Sequence, residues 1–480
     1  MPTTLVWFRQ DLRLADNPAL VEATKRGAVQ PVYIHDQSSP GPWRPGGASG
    51  WWLDRSLERL DLALRERGSA LWVGAGDPLD VLMAMAAAAE ADAVTWNRCY
   101  EPFAIERDQG IKEALKARGF EVWSSNGALL FEPWTVATKG GDPYQVYTPF
   151  ARACFEKSAP LRPLTVPDRL LPPKVDSTAF CRISNHDAST ADWTAGLQAA
   201  WSPGEVFAIN RLERFLEDNL EDYGDKRNRP DLAATSRLSP HLHWGELSPR
   251  QAWHAVFDTL GRDRALSPGS GSETFLKELL WREFGYHILY HFPHLPQAPL
   301  KPAFAGFPWA DDKDARNAWR FARTGYPIVD AGMRELRTTG WMHNRVRMIT
   351  GSFLVKHLLE DWQHGAAWFW DNLVDADLAS NTLGWQWVAG CGPDAAPYFR
   401  VFNPVLQGEK FDPEGAYVRH WVPELADLPN KVLHSPFQAP PEVLAKAGVQ
   451  LGKTYPKPIV EHKRARQRAL DAFAAIKGRS

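Results

Sequence analysis

Four stretches of the chain gather side chains that can do chemistry. Thr235-Ser236-Arg237-Leu238-Ser239-Pro240 sets three hydroxyls and one guanidinium where a helix is expected to begin. Hydroxyls, backbone N–H groups and a helix N-terminus suit a pyrophosphate, and the same residue types make an ordinary helix cap. Glu278, Trp281 and Arg282 stand at i, i+3 and i+4, so they share one face of a helix. That face reads either as a seat for a polar planar ligand or as a Glu278–Arg282 ion pair beside a half-buried indole. In Asn344-Arg345-Val346-Arg347-Met348, helical spacing groups Asn344, Arg347 and Met348 and turns Arg345 elsewhere, within reach of a phosphate. Asp375-Ala376-Asp377 places two carboxylates two residues apart. No His or Cys stands near them at ligand spacing, so a charge partner such as Arg347 is expected rather than a metal. No Ser-His-Asp or Cys-His order is evident.

Side chains this far apart in sequence need a framework to bring them together. Five short apolar runs, at 5–8, 31–34, 70–73, 93–96 and 120–123, read as strands. Helical periodicity fills 51–67, 78–91 and 105–118 between them, with Gly68 and Gly119 where C-terminal caps belong. Such alternation predicts an α/β domain with a doubly wound parallel sheet over residues 1–130. Residues 131–204 read as an interdomain linker, because prolines recur and periodicity fades from Ser158 to Pro203. Residues 205–480 read as an all-α domain. The first domain has neither a G-x-G-x-x-G nor a P-loop pattern. Gly46-Gly47-Ala48-Ser49-Gly50 reads as a plain loop before a helix.

Bulk properties narrow the classes further. The chain has 480 residues, 44% hydrophobic and 23% charged, as a multi-domain globular protein does. With a net charge of −2 and a pI near 6.7, any nucleic-acid surface must be a local basic patch. Cys99, Cys154, Cys181 and Cys391 form no C-x-x-C pair, which fits a reducing cytoplasm and argues against zinc or a disulfide framework. The longest apolar run, 81–89, is too short to span a bilayer. The 22 tryptophans are in excess; they read as a Trp-rich core or as aromatic redox or base-stacking groups.

Several longer motifs resemble the photolyase/cryptochrome family: LVWFRQDLRLADN at 5–17, TSRLSP at 235–240, ELLWREF at 278–284, TGYPIVDAGMREL at 324–336, GWMHNRVRM at 340–348, DADLASN at 375–381, GWQW at 384–387, FNPVLQGEKFD at 402–412 and YPKPIVEHKRAR at 455–466. The resemblance spans nearly the whole chain. It looks closest to the bacterial class I enzymes that repair cyclobutane pyrimidine dimers. It implies FAD in the helical domain, with contacts from Tyr223, Thr235, Ser236, Arg237, Leu238, Ser239, Arg347, Asp375, Ala376 and Asp377. Asn381 matches the position beside the reactive flavin nitrogen. Lesion contacts carry over to Glu278, Trp281, Asn344, Met348 and Trp387, and DNA-facing positions to Arg227, Arg282, Arg345 and Gln407. Trp385, Trp362 and Trp309 match tryptophans that relay electrons from the surface.

The reaction so implied is light-driven electron transfer from FAD to a dimer flipped out of damaged DNA, with Glu278 and Asn381 as the catalytic side chains. Chemistry on a base inside a duplex needs such extrusion. A second, antenna chromophore is also implied. Asn97-Arg98-Cys99-Tyr100-Glu101-Pro102 departs from the best-known folate pattern, carrying Phe103-Ala104 where that pattern has Asn-Glu, and looks like a second bacterial subgroup using 5,10-methenyltetrahydrofolate, with 8-hydroxy-5-deazaflavin as the alternative. The expectation is a monomer with no membrane association. The rival readings are a cryptochrome-type light sensor and a (6-4) photolyase, which relies on paired histidines, one of which His343 could supply.

Overall fold

The computed structural model describes residues 1–174, 180 and 192–476; Cys181 lies outside them. β1 (Thr3–Phe8), β2 (Ala28–Asp36), β3 (Trp72–Gly76), β4 (Ala93–Asn97) and β5 (Glu121–Ser125) form one sheet in the order β3-β2-β1-β4-β5. All four pairings are parallel, with Leu5 opposite Gln30 on one side and Val94 on the other. The strands read as continuous apolar runs because helices cover both faces. β1 is buried at every position.

The crossover helices start and stop where local chemistry dictates. Asn17 caps Pro18–Arg26 and Asp77 caps Pro78–Ala89 by accepting backbone N–H groups, and proline occupies the first turn of each. Gly68 and Gly119 follow the helices Gly47–Glu66 and Pro102–Ala117, each at φ +89°, a conformation costly to a residue with a Cβ. The stretch 46–50, read as a plain loop, is instead the start of a helix: Gly46 is the N-cap and Gly47–Gly50 form the first turn of Gly47–Glu66. A Cβ at Gly46 would lie 2.4 Å from the Asp371 backbone, so this turn docks directly against the helical part.

After Tyr147–Glu156 the chain runs irregularly over the α/β surface, tied by Leu164 N–H to Asp16 (3.0 Å) and Leu170 N–H to Arg67 O (2.8 Å). From Glu205 onward the regular elements are helices joined by irregular segments, and among the described residues β structure there is confined to isolated bridges. The opening motif anchors the two parts. Leu14 and Ala15 N–H groups donate to Glu205 (2.8 Å each), Arg13 donates to Gly245 O (2.8 Å), and Asp16 pairs with Arg250 (2.8 Å).

Candidate functional site

Three helices frame one large cavity. Gly271–His291 is capped by Ser270, whose Oγ accepts Glu273 N–H (3.1 Å). Asn344–Ser352 is capped by His343, and Leu378–Ala389 by Asp377, whose Oδ1 accepts Ser380 N–H (2.7 Å). Each carries a set of inward side chains at helical spacing: Glu278, Trp281 and Arg282 from the first, Asn344, Arg345, Arg347 and Met348 from the second, Asn381, Trp385 and Trp387 from the third. Arg227, Ser239 and Asp375 complete the wall from the connecting segments. The cavity encloses about 530 Å³, within the usual ~300–1,000 Å³ of small-molecule sites.

The charge pairing differs from one of the sequence alternatives. Glu278 pairs with Arg227, not with Arg282. Burial pushes the Glu278 carboxyl up from its ordinary value, and Arg227 pulls it back. Arg282 instead donates to Ala128 O (2.9 Å) and lies over Tyr286 (4.9 Å). Arg347 makes two contacts to Asp375 (2.8 and 3.1 Å), the charge pair expected in place of a metal. Arg345, expected to turn away, also reaches the wall; it lies over Phe411 (4.5 Å) and donates to Asn228 Oδ1 (2.7 Å). Asn381 is oriented by donating to Ala366 O (3.1 Å).

Trp385 is buried in this wall, and its ring meets Phe369 (4.9 Å) and Trp319 (6.2 Å) edge-on. The helix Trp362–Asn372 packs on it so closely that a Cβ at Gly365 would lie 2.1 Å from the ring. Trp362 is buried, and Ala310 pairs with Glu360, which brings Trp309 beside the start of that helix. Trp309 is partly exposed and packs on Phe307 (4.2 Å). Trp385 and Trp362 thus belong to one core cluster, and Trp309, partly exposed, packs against it.

Other expected residues stand off the wall. Of 235–239, only Ser239 lines the cavity, its Oγ accepting Trp341 Nε1–H (3.2 Å). Arg237 sits at φ +50°, its guanidinium between Trp201 (4.3 Å) and Trp341 (4.9 Å), with a buried Nε that has no partner among the described residues. Tyr223 is buried edge-on against Phe215 and Phe275. Asp377 accepts from Tyr286 Oη and faces His243; those partners and Arg282 hold its carboxyl below the ordinary range although burial opposes them. Gln407 lies half-buried on Pro404–Phe411 and does not line the cavity. Sequence reading missed Tyr147, whose ring stacks on Trp281, and the wall residues Trp341, Met342 and Phe369. Trp341 and Met342 lie inside a motif already singled out; Tyr147 lies in the expected linker and carried no signal. Asp311, Glu360 and His364 gather elsewhere, but Arg316 already bridges both carboxylates.

A second cavity of about 150 Å³ lies between the sheet and the helical part. Its wall includes Cys99, Glu101 and Phe103 from the antenna-like segment, Arg107, and the edge-on pair Trp43–Trp370 (5.4 Å). Ala376 faces this cavity rather than the large one.

Residues 4–168 match the family described as DNA photolyase, and residues 275–475 match the FAD binding domain of DNA photolyase. A deoxyribodipyrimidine photo-lyase of Agrobacterium fabrum is 49% identical over 98% of each chain. Cryptochrome-2 of Arabidopsis thaliana is 40% identical over 98% of this chain and 78% of its own. The crystal structure of a bacterial class III photolyase from Agrobacterium tumefaciens superposes with a TM-score of 0.95 at 47% identity, covering 100% of this chain and 98% of that one. A parallel α/β sheet, a helical part built around one charged and aromatic cavity, and these full-length likenesses establish that the chain belongs to the photolyase/cryptochrome family.

Proposed function

We propose that this chain repairs cyclobutane pyrimidine dimers in damaged DNA by light-driven electron transfer, as a monomer in the cytoplasm. The observation that carries the reading is the shared wall: Asn381 and the Arg347–Asp375 pair face the same cavity as Glu278, Trp281, Asn344, Met348 and Trp387. A cofactor and a flipped-out lesion would therefore meet in one space. With a 47% identical structure described as class III, the subclass we favour is class III in place of class I.

The residues fit FAD. Arg237 is a half-buried cation with an orphaned Nε, next to the Ser239 hydroxyl that opens a helix, and would hold phosphate. Arg347–Asp375 and the Asn381 amide would hold the ring system's polar edge. FAD, when bound, supplies the photoexcited electron. Glu278, whose carboxyl burial pushes up, would in its protonated form donate a hydrogen bond where charge develops on the lesion's carbonyls. Trp281 and Trp387 would hold the joined bases by their flat faces. Arg282 and Arg345 would meet phosphates, Arg227 would stand on the DNA-facing side while paired with Glu278, and Gln407 would contribute from the helix Pro404–Phe411. Trp385, Trp362 and Trp309 would carry electrons inward.

The second cavity would seat the antenna chromophore, which we take to be 5,10-methenyltetrahydrofolate, with 8-hydroxy-5-deazaflavin as the alternative. Trp43, Trp370 and Phe103 offer aromatic walls, and Arg107 offers a cation.

The (6-4) reading loses ground at His343. Its Nδ1 accepts Arg345 N–H, and burial together with Arg345 and Arg347 pushes its pKa to about 3, so it is a neutral cap rather than an acid. The discriminating experiment illuminates the purified protein with two oligonucleotides, one carrying a defined cyclobutane dimer and one a (6-4) photoproduct. Repair of the first alone is expected. Absence of repair on both would turn the assignment to the light-sensing members of the family.

A further inference from the structure

Away from both cavities, the surface carries a cluster that the reading above does not use. Phe321 is 40% exposed. The guanidiniums of Arg323 and Arg337 lie 5.7 and 5.2 Å from its ring centroid. Trp368 meets Phe321 edge-on at 5.9 Å, and Arg320 lies over Trp368 at 5.2 Å. Among the described residues none of these three arginines has a carboxylate within ion-pair distance. Three arginines without an ion pair thus stand together on a molecule of net charge −2.

The cluster is also built rigidly. Ala322 is buried in the left-handed region at φ +56°, a conformation unfavourable to a residue with a Cβ. Holding it there turns its two neighbours, Phe321 and Arg323, out to solvent. Arg323 N–H closes the turn on Ala318 O (2.7 Å), and Thr324 is clamped by Asp330 through both its N–H and its hydroxyl (2.8 Å each). Trp368 precedes the cavity residue Phe369 on the same helix, so the cluster lies round the side of that helix from the cavity, about one helix diameter (~10 Å) away.

We infer that Arg320, Phe321, Arg323, Arg337 and Trp368 form a second contact for nucleic acid, specific to single-stranded DNA. Guanidiniums alternating with aromatic faces match a chain of phosphates alternating with bases. Stacking on Phe321 needs an unpaired base, which excludes intact duplex as the occupant. The contact needs neither lesion nor cofactor, so it stands apart from the proposed repair reaction.

The test uses the full chain and lesion-free dT12, read by fluorescence anisotropy and stoichiometric titration. Two oligonucleotides per chain are expected, the second lost in Arg320→Ala/Arg323→Ala/Arg337→Ala with a salt slope smaller by about 2 (roughly 0.7 per phosphate contact). Phe321→Ala should weaken the second site roughly tenfold for dT12 and leave an abasic phosphodiester 12-mer unaffected. Ultraviolet cross-linking of dT12 to the unmodified protein should mark peptide 319–323. A single site per chain that the triple substitution leaves unchanged would overturn the inference. So would abasic chain bound as tightly as dT12, or cross-links confined to the large cavity. Repair of a dimer by the triple variant under light, measured in parallel, keeps this outcome separate from that of the repair reading.

Discussion

Tyr147 covers one face of Trp281, with ring centroids 3.6 Å apart and planes 7° from parallel. Only the opposite face of Trp281 is left to meet a ligand in the cavity. Tyr147 is itself fixed by donating its hydroxyl to Lys277 O (2.6 Å), one position before Glu278. A side chain from the segment between the α/β and helical parts therefore sets the pose of the proposed lesion platform.

Tyr147→Ala should weaken binding of dimer-containing DNA severalfold, since an aromatic pair contributes about 0.5–1.5 kcal/mol beyond its buried area. Tyr147→Phe keeps the stack and loses only the hydroxyl. Affinities measured for both variants check this; equal loss in the two would assign the effect to the hydrogen bond.

Glu278→Ala should lower repair per absorbed photon at saturating lesion by up to about 100-fold, the scale of one lost electrostatic group worth ~3 kcal/mol. Affinity should hold, because Arg227 is released from Glu278 and becomes available to phosphate. The salt dependence of binding should then steepen by about 0.9 in log–log slope. A drop in yield without that steepening would show that Arg227 finds another partner.

Trp385→Phe should abolish light-driven reduction of bound FAD by an external reductant while chemically pre-reduced protein still repairs. Phenylalanine keeps a flat ring but is far harder to oxidise than indole. Gly365→Ala is the companion: its Cβ would overlap the Trp385 ring, so it should displace that ring and slow photoreduction. Transient absorption reads both. Persistent photoreduction in Trp385→Phe would point to a route that bypasses this residue.

Glu335→Gln should raise the melting temperature at pH 8 and leave it nearly unchanged near pH 4. Burial pushes the Glu335 carboxyl to about 7 from an ordinary 4.5. A raised carboxyl pKa favours folding below the unfolded value and loses that advantage as pH rises toward 7. The variant's gain should therefore grow between pH 4.5 and 7 and then level off, at no more than about 3 kcal/mol. The amide oxygen still accepts from Tyr417 Oη (2.7 Å) and His343 N–H (3.1 Å). Parallel melting curves across this range decide it.

The sequence by itself determined the elements and the helix faces. Apolar runs buried on both sides gave the five strands, and helical periodicity with its glycine stops gave three of the four crossover helices to within a few residues, the short helix Pro18–Arg26 being missed. Spacing of three and four put Glu278 with Trp281, because helix geometry is local. Local periodicity carries no information on which distant segments meet. It left a Glu278–Arg282 pair open where the fold supplies Arg227, 51 residues upstream, and it turned Arg345 away from a wall that it joins. The stacking of Tyr147 on Trp281, the contact of Gly365 with Trp385, the isolation of Arg237 between Trp201 and Trp341, and the approach of Arg337 and Trp368 to Phe321 all arise between segments separated in the chain. Those relations were decided by packing, since tertiary contacts depend on how amphipathic faces bury against one another and not on any residue's near neighbours.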